Sequence, residues 1–564
     1  MSDTRWELPP SWTWTTLGEV ATVVGGGTPS TSDPANFGGN IPWITPADMS
    51  THVGKHISSG SRSISEKGLN DSGARWLPTG SVLFSSRAPI GYTAIAAQPV
   101  TTNQGFKSFV PHLGINSDFL YYWLTGAKSI AEELASGTTF LELSGAKAAL
   151  LPIPLAPTTE QTRIVAKLEE LLSDLDAGVA DLKAAQAKLT QYRQSLLKAA
   201  VEGALTADWR ARRVALETTR PAQPADAENR PRPTEFHASF AAGQRRRHET
   251  PPTGGCAVQE DSADGFETGA QLLARILTER RARWEARQLA RFESQGKSPP
   301  KGWQSKYPEP VAPDTRDLPE LPEGWVWASL DMLGEIASGV AKGSKLKAGL
   351  SVREVPYLRV ANVQRGYLDL SEIKTIEATE SDIEELALKN GDVLFNEGGD
   401  RDKLGRGWVW RDEIPECIHQ NHVFRMRPWL NAINSEFISH HGNSFGKRWF
   451  QRAGKQTTNL ASINLSILRA FPVPVPPPAE QEAIITQLSE QLAALEIQVA
   501  EVELSMKQSA AQRQNLLKAA FSGQLVPQDP ADEPASVLLE RIRAERESHD
   551  NTTRRSRRRA ATTS

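Results

Sequence analysis

Cysteine is almost absent from this chain: 564 residues contain only Cys256 and Cys417, far apart. Two thiols so placed exclude a disulfide framework and a cysteine-rich metal cluster, and they fit a reducing compartment. Long apolar runs are also missing. No stretch approaches the ~18 consecutive apolar residues that a membrane span needs, and Met1 to Pro10 has no apolar signal core. The expectation is a soluble, cytoplasmic protein. Nor is there an excess of charge of one sign. Sixty-four basic residues face 67 acidic ones, a net charge of −3, where a nucleic-acid binder is expected to carry a basic surface. The balance hides local asymmetry: Arg75, Arg87 and Lys107 lie in an acid-free window between Ser72 and Ser117. Lys447, Arg448, Arg452, Lys455 and Arg469 lie in another between Phe437 and Ala479. Charge permits contact with phosphates without establishing it.

Catalytic signatures are scarce as well. Gly296-Lys-Ser298 resembles the end of a phosphate loop, but Arg291 stands where the first glycine belongs and Pro299 follows. The chain has no Gly-x-Gly-x-x-Gly, no Asn- or Asp-Pro-Pro-Tyr and no His-Glu-x-x-His. His419 and His422 are three apart but lack a third ligand at metal spacing, so a core or surface role is expected. Asn396-Glu-Gly-Gly-Asp-Arg-Asp402 reads as a shaped polar loop, because its counterpart Ser85-Ser-Arg-Ala88 carries no acid.

What the chain does have is an internal repeat. Arg193-Gln-Ser-Leu-Leu-Lys-Ala-Ala-Val-Glu-Gly-Ala-Leu205 recurs as Arg513-Gln-Asn-Leu-Leu-Lys-Ala-Ala-Phe-Ser-Gly-Gln-Leu525. The same offset aligns Leu151-Pro-Ile-Pro-Leu155 with Phe471-Pro-Val-Pro-Val475 and Glu160-Gln161 with Glu480-Gln481. Leu8-Pro-Pro-Ser-Trp-Thr-Trp14 matches Leu321-Pro-Glu-Gly-Trp-Val-Trp327, and Gly80-Ser-Val-Leu-Phe84 matches Gly391-Asp-Val-Leu-Phe395. Leu272-Leu-Ala-Arg-Ile276 is echoed by Leu538-Leu-Glu-Arg-Ile542. Such a period is too long for a solenoid, so a domain-plus-helix module has been duplicated.

Within each module the texture changes once. Residues 1–157 and 321–478 are rich in Gly, Pro, Thr and aromatics and read as mixed, strand-containing globular domains. Their proline-punctuated ends are expected to break the fold before a helix. Leu168, Leu175, Leu182, Leu189 and Leu196 then fall every seven residues; Ile485, Leu488, Leu492, Leu495, Val499, Val502 and Met506 step by threes and fours. Two heptad seams, at 158–205 and 479–526, want a partner helix and predict an antiparallel pair, each rod ~60 Å long. Residues 206–320 are expected to form a linker with one short charged helix over 271–294, largely disordered between Arg210 and Gly269. Residues 527–564 read as a charged helix and a basic tail, with five Arg between Arg554 and Arg559.

In that order, twice, these motifs resemble the specificity subunits of type I restriction–modification enzymes, over nearly the whole chain. The resemblance implies a mixed α/β (α+β) fold with two target-recognition domains, each reading one half of a split, asymmetric DNA site, spaced by an antiparallel coiled coil. It implies no catalysis by the chain itself and no cofactor of its own. Two methyltransferase subunits that bind S-adenosylmethionine and modify adenine, and ATP- and Mg-dependent restriction subunits, are the implied partners besides double-stranded DNA. The long region between modules departs from a minimal family member. Bases are read by donors and acceptors held at the groove, commonly Arg to guanine and Asn or Gln to adenine. Polar loops in matching places supply the candidates Arg87, Asn103, Gln104, Thr138 and Thr139 in the first domain. In the second they are Lys342, Lys345, Asn396, Arg401, Lys403, Gln420, Asn421, Lys455 and Gln456. A coiled-coil scaffold that binds proteins rather than DNA is the alternative.

Overall fold

The computed structural model describes residues 6–87, 89–137, 141–218, 267–341, 351–456 and 461–561. The chain divides into two compact units, Met1–Gln186 with Ala500–Ser564, and Ala187–Val499. Each contains one globular domain and parts of both long helices, Thr158–Val201 and Pro478–Phe521.

In the first unit a five-stranded sheet is built from Ala21–Gly25, Lys107–Pro111, Val82–Ser86, Ile90–Ala96 and His56–Ile57, in that spatial order. A three-stranded sheet of Arg62–Ile64, Phe37–Ile44 and Thr101–Thr102 lies alongside in sequence. Val82, Leu83 and Phe84 are completely buried, which is why Gly-Ser-Val-Leu-Phe reads as a continuous apolar run rather than an alternating one. The second unit repeats the plan with Gly334–Ser338, Val423–Pro428 and Val393–Asn396 in one sheet and Lys374–Thr379, Val352–Leu358 and Ile418–His419 in another.

The proline-rich segments do more than interrupt. Pro152–Leu155 pairs antiparallel with Thr13–Thr16, and Pro472–Val475 with Val326–Ser329. Prolines at alternate positions put their missing N–H groups on one side of the strand, so a two-stranded ribbon tolerates them. The repeated Trp-x-Trp openings thereby meet the repeated Pro-x-Pro segments, residues 140 or more apart, in the same register.

The repeated Glu-Gln pair locks each domain onto its long helix. Trp12 donates its indole N–H to Glu160 at 2.9 Å, and Trp325 to Glu480 at 2.8 Å. The Gln161 side-chain oxygen accepts the backbone N–H of Asn116 at 2.9 Å while its amide donates to the Ala156 carbonyl at 2.9 Å. Gln481 does the same with Asn434 and Pro476, again at 2.9 Å each. Asn116 and Asn434 in turn cap the helices Ser117–Gly126 and Ser435–Asn443.

Inside each unit the long helices run antiparallel. In the first, Asp176 pairs with Arg513, and Phe521 at the end of the second helix packs its ring 5.0 Å from Phe119 and 5.1 Å from Trp123. In the second, Arg193 lies 3.8 Å from Glu496, and Leu196 and Ala200 share a core with Ile484 and Leu488. Residue numbers rise along one helix as they fall along the other, and the heptad residues face inward.

The 206–320 stretch departs from the linker expected of it. Ala207–Thr218 is helical, and Arg210 reaches Glu480 at 2.5 Å. The charged helix runs Gly269–Ser294 and opens on a capping box between Thr268 and Gln271. Its Leu272 and Ile276 are completely buried in the core of the second domain. Leu538, Leu539 and Ile542 of the helix Ala535–Ala561 are buried in the first domain's core in the same way. The echoed Leu-Leu-x-Arg-Ile segments are therefore domain-packing helices, because their apolar residues complete a core that the globular part leaves open. Most of the expected disordered segment, 219–266, and the side chains of the basic tail lie outside the described residues. Among the described residues no helix is long and apolar enough to cross a membrane.

Candidate nucleic-acid interface

One turn recurs in both domains and gathers most of the describable candidates. In the first domain the strand Thr101–Thr102 runs parallel to Trp43 and Ile44, then turns through Asn103, Gln104 and Gly105. Asn103 N–H donates to the Ile44 carbonyl at 2.9 Å, and Phe106 N–H donates back to the Asn103 carbonyl at 3.2 Å. The Asn103 side-chain oxygen accepts Gly105 N–H at 2.8 Å, so this side chain shapes the turn and leaves only its amide nitrogen free to face outward. Gln104 is exposed at the tip. Ser86 N–H donates to the Gly105 carbonyl at 2.7 Å, which brings the end of the strand Val82–Ser86, and Arg87 after it, beside the turn.

In the second domain Ile418–His419 runs parallel to Tyr357 and Leu358 and turns through Gln420, Asn421 and His422. Gln420 N–H donates to Leu358 at 2.9 Å, Val423 N–H to Gln420 at 2.8 Å, and Glu397 N–H to His422 at 2.9 Å. Each bond has its counterpart in the first domain. Glycine permits the close passage: a Cβ on Gly26 would stand 1.9 Å from the Asn103 carbonyl oxygen, and one on Gly339 1.9 Å from that of His419.

Electrostatics differ between the two turns. In the first domain Arg87 and Lys107 share one carboxylate, Glu142, at 3.7 and 3.9 Å. Burial lowers the Lys107 pKa, with Glu142 opposing and Arg87 reinforcing the shift. Two cations against one acid leave a net positive edge. In the second domain His422 Nδ1 meets Glu397 at 2.5 Å, beside a cavity of about 380 Å³ lined by Ser338, Asn421, Asn464 and Ser466 among others. His419, by contrast, is completely buried, its Nδ1 2.6 Å from the Val423 carbonyl, and burial pushes its pKa down to about 4. The two histidines thus have separate roles, one in the core and one at the surface. No group of three or more His, Cys, Asp or Glu among the described residues is placed to hold a metal ion.

The structure brings Arg87, Asn103 and Gln104 together in one domain, and Gln420 and Asn421 in the other. Arg401 and Lys403 sit on a short 3-10 turn in the polar loop that continues from Glu397; Arg401 is exposed and Lys403 pairs with Asp400. Asn396 must be withdrawn as a base reader. It is completely buried, and its amide donates to the Val363 and Val360 carbonyls at 2.8 and 3.3 Å. Lys455–Gln456 forms a short strand on Ala461–Ser462, which also pairs with Gly398–Gly399. The first domain has the same arrangement, with Glu142 bridging both Ser136 and Arg87. Thr138, Thr139, Lys342 and Lys345 lie outside the described residues, as do the side chains of Lys455 and Gln456. The sequence placed Lys107 in a basic window, Glu397 in a polar loop and His422 at the surface or in the core, and it missed Glu142. No local signal brings Glu142, far on in the chain, to Arg87 and Lys107.

Comparison with known proteins gives a consistent answer. The family model for the type I restriction modification DNA specificity domain matches residues 9–182 and again 322–502. The chain is 41% identical over 165 residues to the type I restriction enzyme MjaIX specificity subunit of Methanocaldococcus jannaschii, covering 29% of this chain and 38% of that one. To the type I restriction enzyme EcoDI specificity subunit of Escherichia coli it is 22% identical over 442 residues, 77% of each chain. Three of the curated relatives are spanned over only 38%, 47% and 41% of their length. A solved chain from a study of complex assembly and conformational transition in the type I R-M system superposes with a TM-score of 0.55 at 16% identity, covering 92% of this chain and all of that one.

Proposed function

Because the chain belongs to the type I restriction–modification DNA specificity family, we propose that it reads a split, asymmetric DNA site with two target-recognition domains, one half-site each. The observation that carries this reading is the repeated turn, held by the same three backbone bonds in both domains and different in its outward side chains. Asn103-Gln104-Gly105 in one domain becomes Gln420-Asn421-His422 in the other, beside Arg87 and Lys107 in the first and Glu397 in the second. A common scaffold with divergent amide and basic groups is what reading two different base sequences requires. A homodimer, whose symmetry imposes a palindrome, would present identical ones.

The chain acts without catalysis of its own, in the cytoplasm, and holds two modification subunits and the restriction subunits. S-adenosylmethionine, ATP and Mg belong to those partners. Purified alone with all three, it neither methylates nor cuts DNA; methylation that survives rigorous removal of partner subunits overturns this. Single-molecule sequencing of methylated adenines in a host carrying the chain and its modification partner tests the DNA reading. A bipartite motif with unlike halves supports it, and absence of any new methylated motif counts against it.

A further inference from the structure

The two domains differ in charge along one helix that follows the Asn-capped helix in each. In the second domain Ser435–Asn443 is followed by Phe445–Ala453, and in the first Ser117–Gly126 is followed by Lys128–Leu134. Gly446 and Phe450 turn Phe445–Ala453 toward the core, and the outward face carries Lys447, Arg448 and Arg452 with no acid. None of these three has an ion-pair partner among the described residues. The equivalent helix of the first domain carries one cation, Lys128, which faces Glu132 at 3.8 Å, with Glu133 beside it.

Against the basic helix packs the loop that begins at Glu397. Leu404 is 1% exposed, and Gly405, at φ 60°, passes so close that a Cβ would stand 2.1 Å from the Phe450 ring. Gln451 donates to the Arg401 carbonyl at 3.2 Å. Arg365 donates to the carbonyls of Asp402 at 2.7 Å and Asn443 at 2.8 Å; Arg406 donates to that of Val360 at 3.2 Å. Both guanidiniums donate to carbonyls, while the charge of Asp402 acts on both and that of Asp400 on Arg406. Burial lowers the pKa of each, and for Arg365 the Arg406 charge adds to the effect. Asp400 is engaged by Lys403. Arg365, Lys447, Arg448 and Arg452 also line a cleft of about 1450 Å³, whose lining includes the acids Asp317, Glu320, Glu202, which faces Lys198, and Asp314, which pairs with Arg316. Three exposed cations without an ion-pair partner among the described residues, spread along one helix face, suit a run of phosphates better than one small anion. Arg401 and Arg406 stand on the loop that starts at the Glu397–His422 contact, and that loop ties the basic helix to the turn.

We propose that the outward face of Phe445–Ala453, with Arg365, Arg401 and Arg406, holds the phosphodiester backbone of duplex DNA, and that the first domain has no counterpart. The second domain then supplies most of the salt-dependent, sequence-independent affinity. This rests on the DNA reading above.

The test uses the full chain, alone and with its modification subunits, against a duplex bearing the methylated motif and a scrambled duplex, between 50 and 200 mM salt. K447Q/R448Q/R452Q is compared with wild type and with K128Q. Each lost phosphate contact lowers the slope of log Kobs against log salt by ~0.9. The triple variant is expected to lower it by about 3 on both duplexes, removing about 40-fold of salt sensitivity across that range. The half-site preference and the K128Q slope stay unchanged. A wild-type slope in the triple variant overturns the proposal while leaving the DNA reading intact. So does loss of subunit assembly at an unchanged slope, which assigns the face to an acidic protein partner. No duplex binding by wild type in either form overturns the DNA reading itself. The single variants R448Q and K447Q, each expected to remove about one slope unit, decide the matter if the triple variant does not fold.

Discussion

Gly26 and Gly339 hold the same place in the two domains, where an added Cβ would stand 1.9 Å from a turn carbonyl oxygen. Gly26→Ala and Gly339→Ala must push their turns aside at a cost of ~1–3 kcal/mol, as overpacking does. Each should abolish reading of one half-site and spare the other, which methylated-motif sequencing resolves; loss of neither half would show that the turns do not read DNA. Asn396 and Gln104 form a contrasting pair. Asn396→Ala leaves the Val363 carbonyl without its donor and the Val360 carbonyl with Arg406 alone, and should cost ~1–3 kcal/mol in a denaturant melt with the motif unchanged. Gln104→Ala should leave stability alone and relax one base pair of the first half-site, worth ~1–3 kcal/mol in binding. The sequence suggested Asn396 as a reader because Glu-Gly-Gly-Asp follows it. Asn396 instead ends the strand Val393–Asn396, which is buried on both faces, so no residue of it reaches the surface. Asn103 and Gln104 were legible as polar residues in a turn, yet nothing in one sequence says which of two adjacent amides closes the turn and which faces out.

Among elements, the heptad helices and the repeated Glu-Gln corners were legible because 3.5-residue periodicity and duplicated motifs are local signals. The packing of Gly269–Ser294 was not, since two buried residues, Leu272 and Ile276, on a helix otherwise full of Arg and Glu give almost no period. The helix Ser435–Asn443 yields a prediction of its own. It carries His440 and His441, and His419 lies in the sheet beneath the turn; burial pushes all three down to about 4. Arg193 adds to the shift at His440, Arg425 and Arg427 at His419, and the Pro472 carbonyl opposes it at His441. A depressed folded-state pKa gives stability that is present above the unfolded value near 6.5 and lost as pH falls toward 4. The full effect is on the order of 3 kcal/mol per ring. Hydrogen exchange measured at pH 7 and pH 5 should therefore show protection lost selectively around 419–441, while the core strands 82–86 and 107–111 of the first domain keep theirs. Equal loss in both domains would rule out the histidines as the cause.

At the scale of the whole molecule, the heptad helices are expected to fix the separation of what they carry. Asp176 pairs with Arg513, so six residues on, Leu182 lies near the level of Lys507. Inserting seven residues at Leu182 alone preserves the seam phase and adds ~10 Å of helix, but leaves the partner helix to bulge. Inserting seven at Lys507 as well keeps the two helices matched. Along B-DNA ~10 Å corresponds to about three base pairs, since a turn of 10–10.5 base pairs spans ~34–36 Å. Three base pairs also rotate the groove by roughly 100°, a mismatch that DNA twist and the helices must absorb between them. The doubly lengthened chain is expected to yield a methylated motif with both half-sites unchanged and a nonspecific spacer longer by one to about three base pairs. The single insertion is expected to bind more weakly and to shift the spacer less. Tight binding by the double variant to the original spacer would show that the helices do not set the distance. A change in either half-site would show that the reading domains depend on the helices for more than position.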